Sequence, residues 1–84
     1  MARIRIYGTN TFGWCLAARM LLKKKALEFE DILVSDPANR AEMERLSGHR
    51  SVPQIFIGDQ SVGGYDQLAA LDKSGELDRI IAKV

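Results

Sequence analysis

Ser51-Val52-Pro53-Gln54-Ile55-Phe56-Ile57-Gly58-Asp59-Gln60-Ser61-Val62-Gly63-Gly64-Tyr65-Asp66 is the stretch that decides the fold of this 84-residue chain. Pro53 to Ile57 reads as a strand, Gly58-Asp59 as a tight turn and Gln60 to Gly63 as a short partner strand, so the two form a hairpin. Gly64 opens a helix through about Lys73, with Leu68 and Leu71 inward, and Ser74-Gly75 breaks it. Proline at the start of a strand can hold a cis bond, and it leaves the preceding backbone free to pair with an extended ligand. Two consecutive glycines let a backbone turn tightly and approach a ligand, and the helix start that follows offers N–H groups to a carboxylate. Asp66 beside that anion site suits an ammonium group, so together they suit an amino-acid-like end carrying both charges. The bland alternative is a turn, a helix cap and an ordinary Val-Pro strand entry.

Working outward from this hairpin, Arg3 to Tyr7 alternates polar and apolar and reads as a strand. Gly8 to Thr11 is a loop in which Thr11 or Asn10 caps a helix running from Phe12 to about Lys25. In that helix Trp14, Cys15, Ala18, Leu21 and Leu22 form one apolar stripe, and Leu16, Ala17 and Met20 a second, which predicts cover on more than one side. Lys23-Lys24-Lys25 falls at its end, where cations complement the negative end of the dipole; the alternative for this run is a phosphate-binding patch. Glu28 to Val34 reads as a strand with Phe29, Ile32 and Val34 inward. Asp36-Pro37, a capping carboxylate followed by proline, starts a helix that ends before Gly48. Glu76 to Lys83 is a short terminal helix using Leu77, Ile80 and Ile81. The order is β-α-β-α-β-β-α plus that terminal helix, an α/β chain read as one domain over residues 1–84, with a parallel crossover in its first β-α-β unit.

Composition narrows the function. Apolar residues make up 46% of the chain and charged residues 27%, with a formal net charge of +1. No basic excess points to nucleic acid. Cys15 is the single cysteine and His49 the single histidine, so no internal disulfide forms and no metal site is expected. Arg3 follows the start directly, with no charged-then-apolar leader and no run long enough for a membrane span, and the expectation is a cytoplasmic chain.

Phe12-Gly13-Trp14-Cys15 stands where a thiol–disulfide exchange protein carries C-x-x-C, after a strand and at the start of a helix. Unsatisfied N–H groups there drive a thiol toward thiolate, the nucleophilic form. Phe12 occupies that position and cannot use it. Cys15 falls on the apolar stripe with Ala18 and Leu22, and a thiol buried in apolar surroundings is inert. The alternative for Cys15 is a working nucleophile.

The Phe12–Cys15 helix start, the Ser51-Val52-Pro53 strand entry and Gly63-Gly64-Tyr65-Asp66, in this order and spacing, resemble those of glutaredoxins over essentially the whole chain. The resemblance rests on Ile6-Tyr7 before the loop, on Cys15, Ala18-Arg19 and Leu21-Leu22 in the first helix, and on Arg40, Glu42 and Met43 in the second. Its most specific pieces are Val52 to Gly58 and Gly63-Gly64 followed by Asp66; Asp72, Gly75, Leu77 and Asp78 match the tail. It implies a thioredoxin-like fold, a four-stranded mixed sheet flanked by helices on both faces, with a cis Val52–Pro53 bond. It also implies glutathione as co-substrate or ligand, with no metal, in a groove formed by Thr9, Trp14, Val52, Pro53, Gln54, Gly64, Tyr65 and Asp66. In the family the ligand's cysteinyl backbone pairs at the position of Val52, its γ-glutamyl end meets Gly64, Tyr65 and Asp66, and its glycyl carboxylate meets Gln54 and basic residues nearby.

The departures fall on the chemistry. The usual C-P-Y-C is Phe12-Gly13-Trp14-Cys15, which keeps the resolving position at Cys15 and replaces the nucleophile with Phe12. Thr9 stands where many members have a lysine, Ser51 replaces a frequent threonine, and Tyr65 replaces a frequent cysteine. Single-thiol members keep the first cysteine, and their bridged iron–sulfur clusters depend on it, so the chain does not fit that subclass. The resemblance implies a glutathione-linked thiol–disulfide oxidoreductase scaffold of redox homeostasis and electron transport, and the departure at Phe12 implies that its dithiol activity is impaired. Its partners would be glutathione and glutathionylated or disulfide proteins, with no nucleic acid and no membrane, and the chain a monomer. The alternative is a non-catalytic glutathione- or protein-binding module using the groove and a Phe12/Trp14 patch, unless Phe12 folds into the vacated groove.

Overall fold

The computed structural model describes residues 3–84, so the first two residues of the expected domain lie outside it. Strands β1 (Ile4–Gly8), β2 (Glu30–Leu33), β3 (Gln54–Ile57) and β4 (Gln60–Gly63) and helices α1 (Gly13–Lys24), α2 (Pro37–Ser47), α3 (Tyr65–Ser74) and α4 (Glu76–Lys83) follow the expected order β1-α1-β2-α2-β3-β4-α3-α4. The sheet runs β2-β1-β3-β4. β1 pairs parallel with β2 and antiparallel with β3, and β3 pairs antiparallel with β4. This mixed pattern carries the C-terminal end of β1, the N-terminal end of β3 and the C-terminal end of β4 to one end of the sheet. The loops that open α1 and α3, and the Val52–Pro53 entry to β3, therefore meet there.

Strand side chains alternate between faces. Ile4, Ile6, Ile55 and Ile57 are buried with Ala18 and Leu22 of α1, Leu68 of α3 and Leu77 of α4. Tyr7 and Phe56 form the opposite core with Val34 and Met43 of α2. Helices thus cover both sheet faces, as expected of a thioredoxin-like fold. Asp36 caps α2 as its sequence predicts: Ala38 N–H donates to Asp36 Oδ1 at 2.9 Å, Pro37 opens the helix and Gly48 ends it in the left-handed region at φ 75°. The α2-side core holds a polar chain as well. Tyr7 O–H donates to Glu42 Oε1, and Arg5 Nη1 donates to Tyr7 Oη at 3.2 Å. Burial, followed by the Glu42 hydrogen bond, pushes the Tyr7 hydroxyl up to about 12.

Several boundaries and faces differ from expectation. β2 is shorter than Glu28–Val34 because its ladder with β1 covers only Glu30–Leu33; Val34 N–H donates to Gly8 O at 3.0 Å just beyond it. β3 begins at Gln54, after Pro53, which has no N–H to give the ladder. The N-cap of α1 is Phe12 rather than Asn10 or Thr11, and Thr9 Oγ1 accepts from Phe12 N–H at 3.3 Å. The largest correction concerns the cover of α1. Cys15, Ala18 and Leu22 are buried, whereas Trp14 is 54% exposed, Leu16 55% and Met20 61%. α1 packs on the sheet through Ala18 and Leu22 and against α3, and among the described residues Leu16 and Met20 of its second apolar stripe are left exposed.

Candidate functional site

A cavity of about 530 Å³ opens at the sheet end where the two helix-opening loops meet. It is lined by Trp14 from the start of α1, by His49 and Ser51 to Gln54 from the α2–β3 segment, and by Ser61 to Gln67 from β4 into α3. Of the eight expected site residues besides Phe12 and Cys15, seven come together here: Trp14, Val52, Pro53, Gln54, Gly64, Tyr65 and Asp66. The Val52–Pro53 peptide bond is cis. Gln54 is 3% exposed, and its Nε2 donates to Ser51 O at 3.0 Å and Ser51 Oγ at 3.2 Å. Its side chain therefore fixes the Ser51–Pro53 turn as well as bordering the cavity.

The opening of α3 supplies the other wall. Gly63 lies at φ 109°, a region that favours glycine, and a Cβ there would sit 3.2 Å from Gln67 Cγ. Gln67 Oε1 accepts from Gly64 N–H at 3.0 Å, which holds the turn closed. Three residues after the cap, Gln67 occupies the position of a capping-box acceptor. That spacing is a sequence signal for Gln67, which lies outside the expected site; His49, Ser61 and Val62 also line the cavity and carry no such signal. The next two N–H groups, of Tyr65 and Asp66, fall in the first helical turn and have no intrahelical acceptor. With the positive end of the α3 dipole they suit an anion, and the Asp66 carboxylate stands beside them.

Trp14 and Tyr65 close the top. Their rings stack with centroids 5.5 Å apart and an interplanar angle of 28°. The stack joins the start of α1 to the start of α3 and makes an aromatic wall on one side of the cavity.

Phe12, Cys15 and Thr9 do not line the cavity. Phe12 is 44% exposed, so it does not fold into the groove. Cys15 is fully buried beneath the strand end: a Cβ on Gly8 would stand 2.8 Å from Cys15 Sγ. Thr9 N–H donates to Cys15 Sγ at 3.5 Å, and Thr9 O accepts from Arg19 Nη1 at 2.9 Å. Thr9 is thereby a loop anchor, its backbone and hydroxyl engaged by Cys15, Arg19 and Phe12. Arg19 itself is almost fully buried. Its Nε lies 3.0 Å from Asp31 Oδ2, a charge contact rather than an aligned hydrogen bond, and its Nη2 has no partner among the described residues.

The Glutaredoxin family profile matches residues 4–62. The chain is similar to a probable glutaredoxin of Synechocystis sp., 43% identical over 82 residues, covering 95% of this chain and 93% of that protein. Among solved structures it is similar to the solution structure of glutaredoxin from Brucella melitensis, with a TM-score of 0.82 and 43% identity, covering 96% of this chain and 89% of that one. It also shares its fold with a buckwheat glutaredoxin–glutathione complex, with a TM-score of 0.87 and 21% identity, covering 96% of this chain and 77% of that one.

Proposed function

Because the chain belongs to the glutaredoxin family and carries its thiol–disulfide oxidoreductase scaffold, we propose that its cavity binds glutathione, free or linked to a protein cysteine, while its dithiol chemistry is impaired at Phe12. The observation that carries this reading is the separation of ligand site from thiol. Val52, Pro53, Gly64, Tyr65 and Asp66 border the cavity, and Cys15 lies buried outside it.

Each residue then has a role set by its chemistry. Tyr65 and Asp66 N–H groups meet the α-carboxylate of the γ-glutamyl end, and the Asp66 carboxylate meets its ammonium. Val52, just outside β3, offers its backbone to the cysteinyl residue. Gln54, held by Ser51, borders the glycyl end. Trp14 and Tyr65 wall the site beside the ligand's sulfur. Disulfide exchange needs a thiolate at the helix start to attack that sulfur. Phe12 has no lone pair to offer, and Cys15 would have to leave its packing against Gly8 to replace it.

The second reading, a non-catalytic glutathione- or protein-binding module, is favoured by the exposure of Phe12 and Trp14 beside an intact groove. In either case the proposed compartment is the cytoplasm and the proposed state a monomer; no helix of the described residues is long and apolar enough to cross a membrane.

The test is Phe12→Cys. The native chain is expected at background in glutathione-dependent reduction of a small mixed disulfide, and Phe12→Cys well above it. An inactive Phe12→Cys, with no calorimetric signal from millimolar glutathione on the native chain, would remove the reading.

A further inference from the structure

The aromatic patch expected at Phe12 and Trp14 divides in the structure. At about 100° per residue, Trp14 lies roughly 160° around α1 from Phe12, and it turns to Tyr65 and the cavity. Phe12 instead aligns with Leu16 and Met20 at successive four-residue steps, 44%, 55% and 61% exposed. Lys23 continues the same line, and Lys24 flanks it. No carboxylate is present within Gly13–Lys24. Arg19 turns inward to Thr9 O and Asp31, and Lys25 is bound by Asp72 and Asp78. Lys23 and Lys24 have no carboxylate partner among the described residues. The face is therefore an apolar ridge with a positive end.

Area and position indicate what it fits. Three half-exposed side chains offer on the order of 300 Å², the size of a functional patch on a monomer and short of the roughly 800 Å² per partner of a stable interface. A permanent second copy is thus disfavoured, and a transient partner suits it. The ridge begins at Phe12, and the cavity begins at Trp14 on the other flank of the same helix start. Gly13 lies between them, with nothing within 4 Å of where its Cβ would stand. Three or four extended residues, at about 3.3 Å each, cross a helix about 10 Å wide.

We propose that the Phe12–Leu16–Met20 face of α1, with Lys23 and Lys24 at its end, docks an apolar segment carrying acidic residues on the same polypeptide whose glutathione-linked cysteine occupies the cavity. This rests on the cavity reading above and adds the class of protein partner.

Two synthetic peptides test it, each bearing one S-glutathionylated cysteine. One has Gly-Ser flanks; the other carries Leu-Ala-Leu-Glu-Glu blocks four residues to either side. The second is expected to bind the native chain roughly tenfold more tightly. That gain should vanish in Leu16→Ser/Met20→Ser and fall in Lys23→Glu/Lys24→Glu, the latter recovering when the peptide glutamates become lysines. Affinity for free glutathione should stay unchanged in both variants. Equal binding of the two peptides, or a gain that survives Leu16→Ser/Met20→Ser, overturns the proposal. So does a sedimentation-detected dimer, or flotation with anionic phosphatidylglycerol vesicles, that those substitutions abolish. If free glutathione does not bind the native chain, the cavity reading alone has failed, and the peptides are repeated with serine at the modified cysteine. Chemical-shift changes confined to α1 amides then uphold the docking face, and their absence overturns it.

Discussion

Replacing Gly8 with alanine probes the claim that Cys15 is a packing residue rather than an available thiol. The added Cβ would lie 2.8 Å from Cys15 Sγ, 3.2 Å from Cys15 Cβ and 3.4 Å from Arg19 Nη2. The first distance is far inside carbon–sulfur contact, and neither neighbour is the loose end of an exposed side chain. Gly8 is the last residue of β1, paired with Leu33, so the backbone has little room to yield. Overpacking of this kind costs about 1–3 kcal/mol. For a domain of this size that is on the order of 10 °C in melting temperature, read by circular dichroism. Removing the sulfur should relieve most of the clash: Cys15→Ala alone is expected to cost about 1 kcal/mol, and Gly8→Ala/Cys15→Ala to be less destabilised than the sum of the singles by about 1 kcal/mol. A Gly8→Ala protein that melts within about 2 °C of the native chain, or a double variant that is strictly additive, would refute the packing argument.

Other outcomes follow from the same geometry. Tyr7 keeps its proton until about pH 12 in the folded state against 10.0 as an unperturbed group, so stability falls as pH rises between these values. Tyr7→Phe should abolish that alkaline decline while losing about 1–2 kcal/mol near neutrality in urea unfolding, as Arg5 and Glu42 lose their shared partner. Lys25 is raised above its ordinary value, chiefly by its hydrogen bond to Asp72 and then that to Asp78. Its stabilisation should be complete below about pH 10.5 and lost as the pH rises through the folded-state value, and Lys25→Met should remove that dependence in pH-jump denaturation. Tyr65→Ala should shift Trp14 fluorescence to the red and weaken α1–α3 coupling by about 0.5–1.5 kcal/mol; unchanged emission would show that the rings are not stacked in solution.

Much of this was legible in the chain. Asp36-Pro37 and Gly48 bound α2 through backbone chemistry that any context preserves. Gly58-Asp59 fixes the hairpin, and Gly63-Gly64 places the turn into α3. The expected groove residues Val52, Pro53, Gln54, Gly64, Tyr65 and Asp66 line one cavity because they flank β3 and β4 at the same end of the sheet. Less legible were the faces of α1. Periodicity marks which residues are apolar, and it leaves open whether a second apolar stripe finds cover; here Leu16 and Met20 find none. Periodicity puts Trp14 on the buried stripe and the family resemblance puts it in the groove; its ring lines the cavity and stacks on Tyr65, a pairing that only the tertiary structure shows. Arg19 was unreadable as a buried cation, since only the tertiary structure brings Thr9 O and Asp31 to it.

If the cavity recognises glutathione while Cys15 stays buried, ligand binding and thiol reactivity are separable in this chain. This separation is tested most directly by titrating the isotope-labelled native chain with glutathione and following backbone amide shifts. Saturable shifts are expected at Val52, Tyr65 and Asp66, with Cys15 left inaccessible to alkylation in the same samples. No shifts at millimolar glutathione, or rapid modification of Cys15 in the folded protein, would contradict the separation.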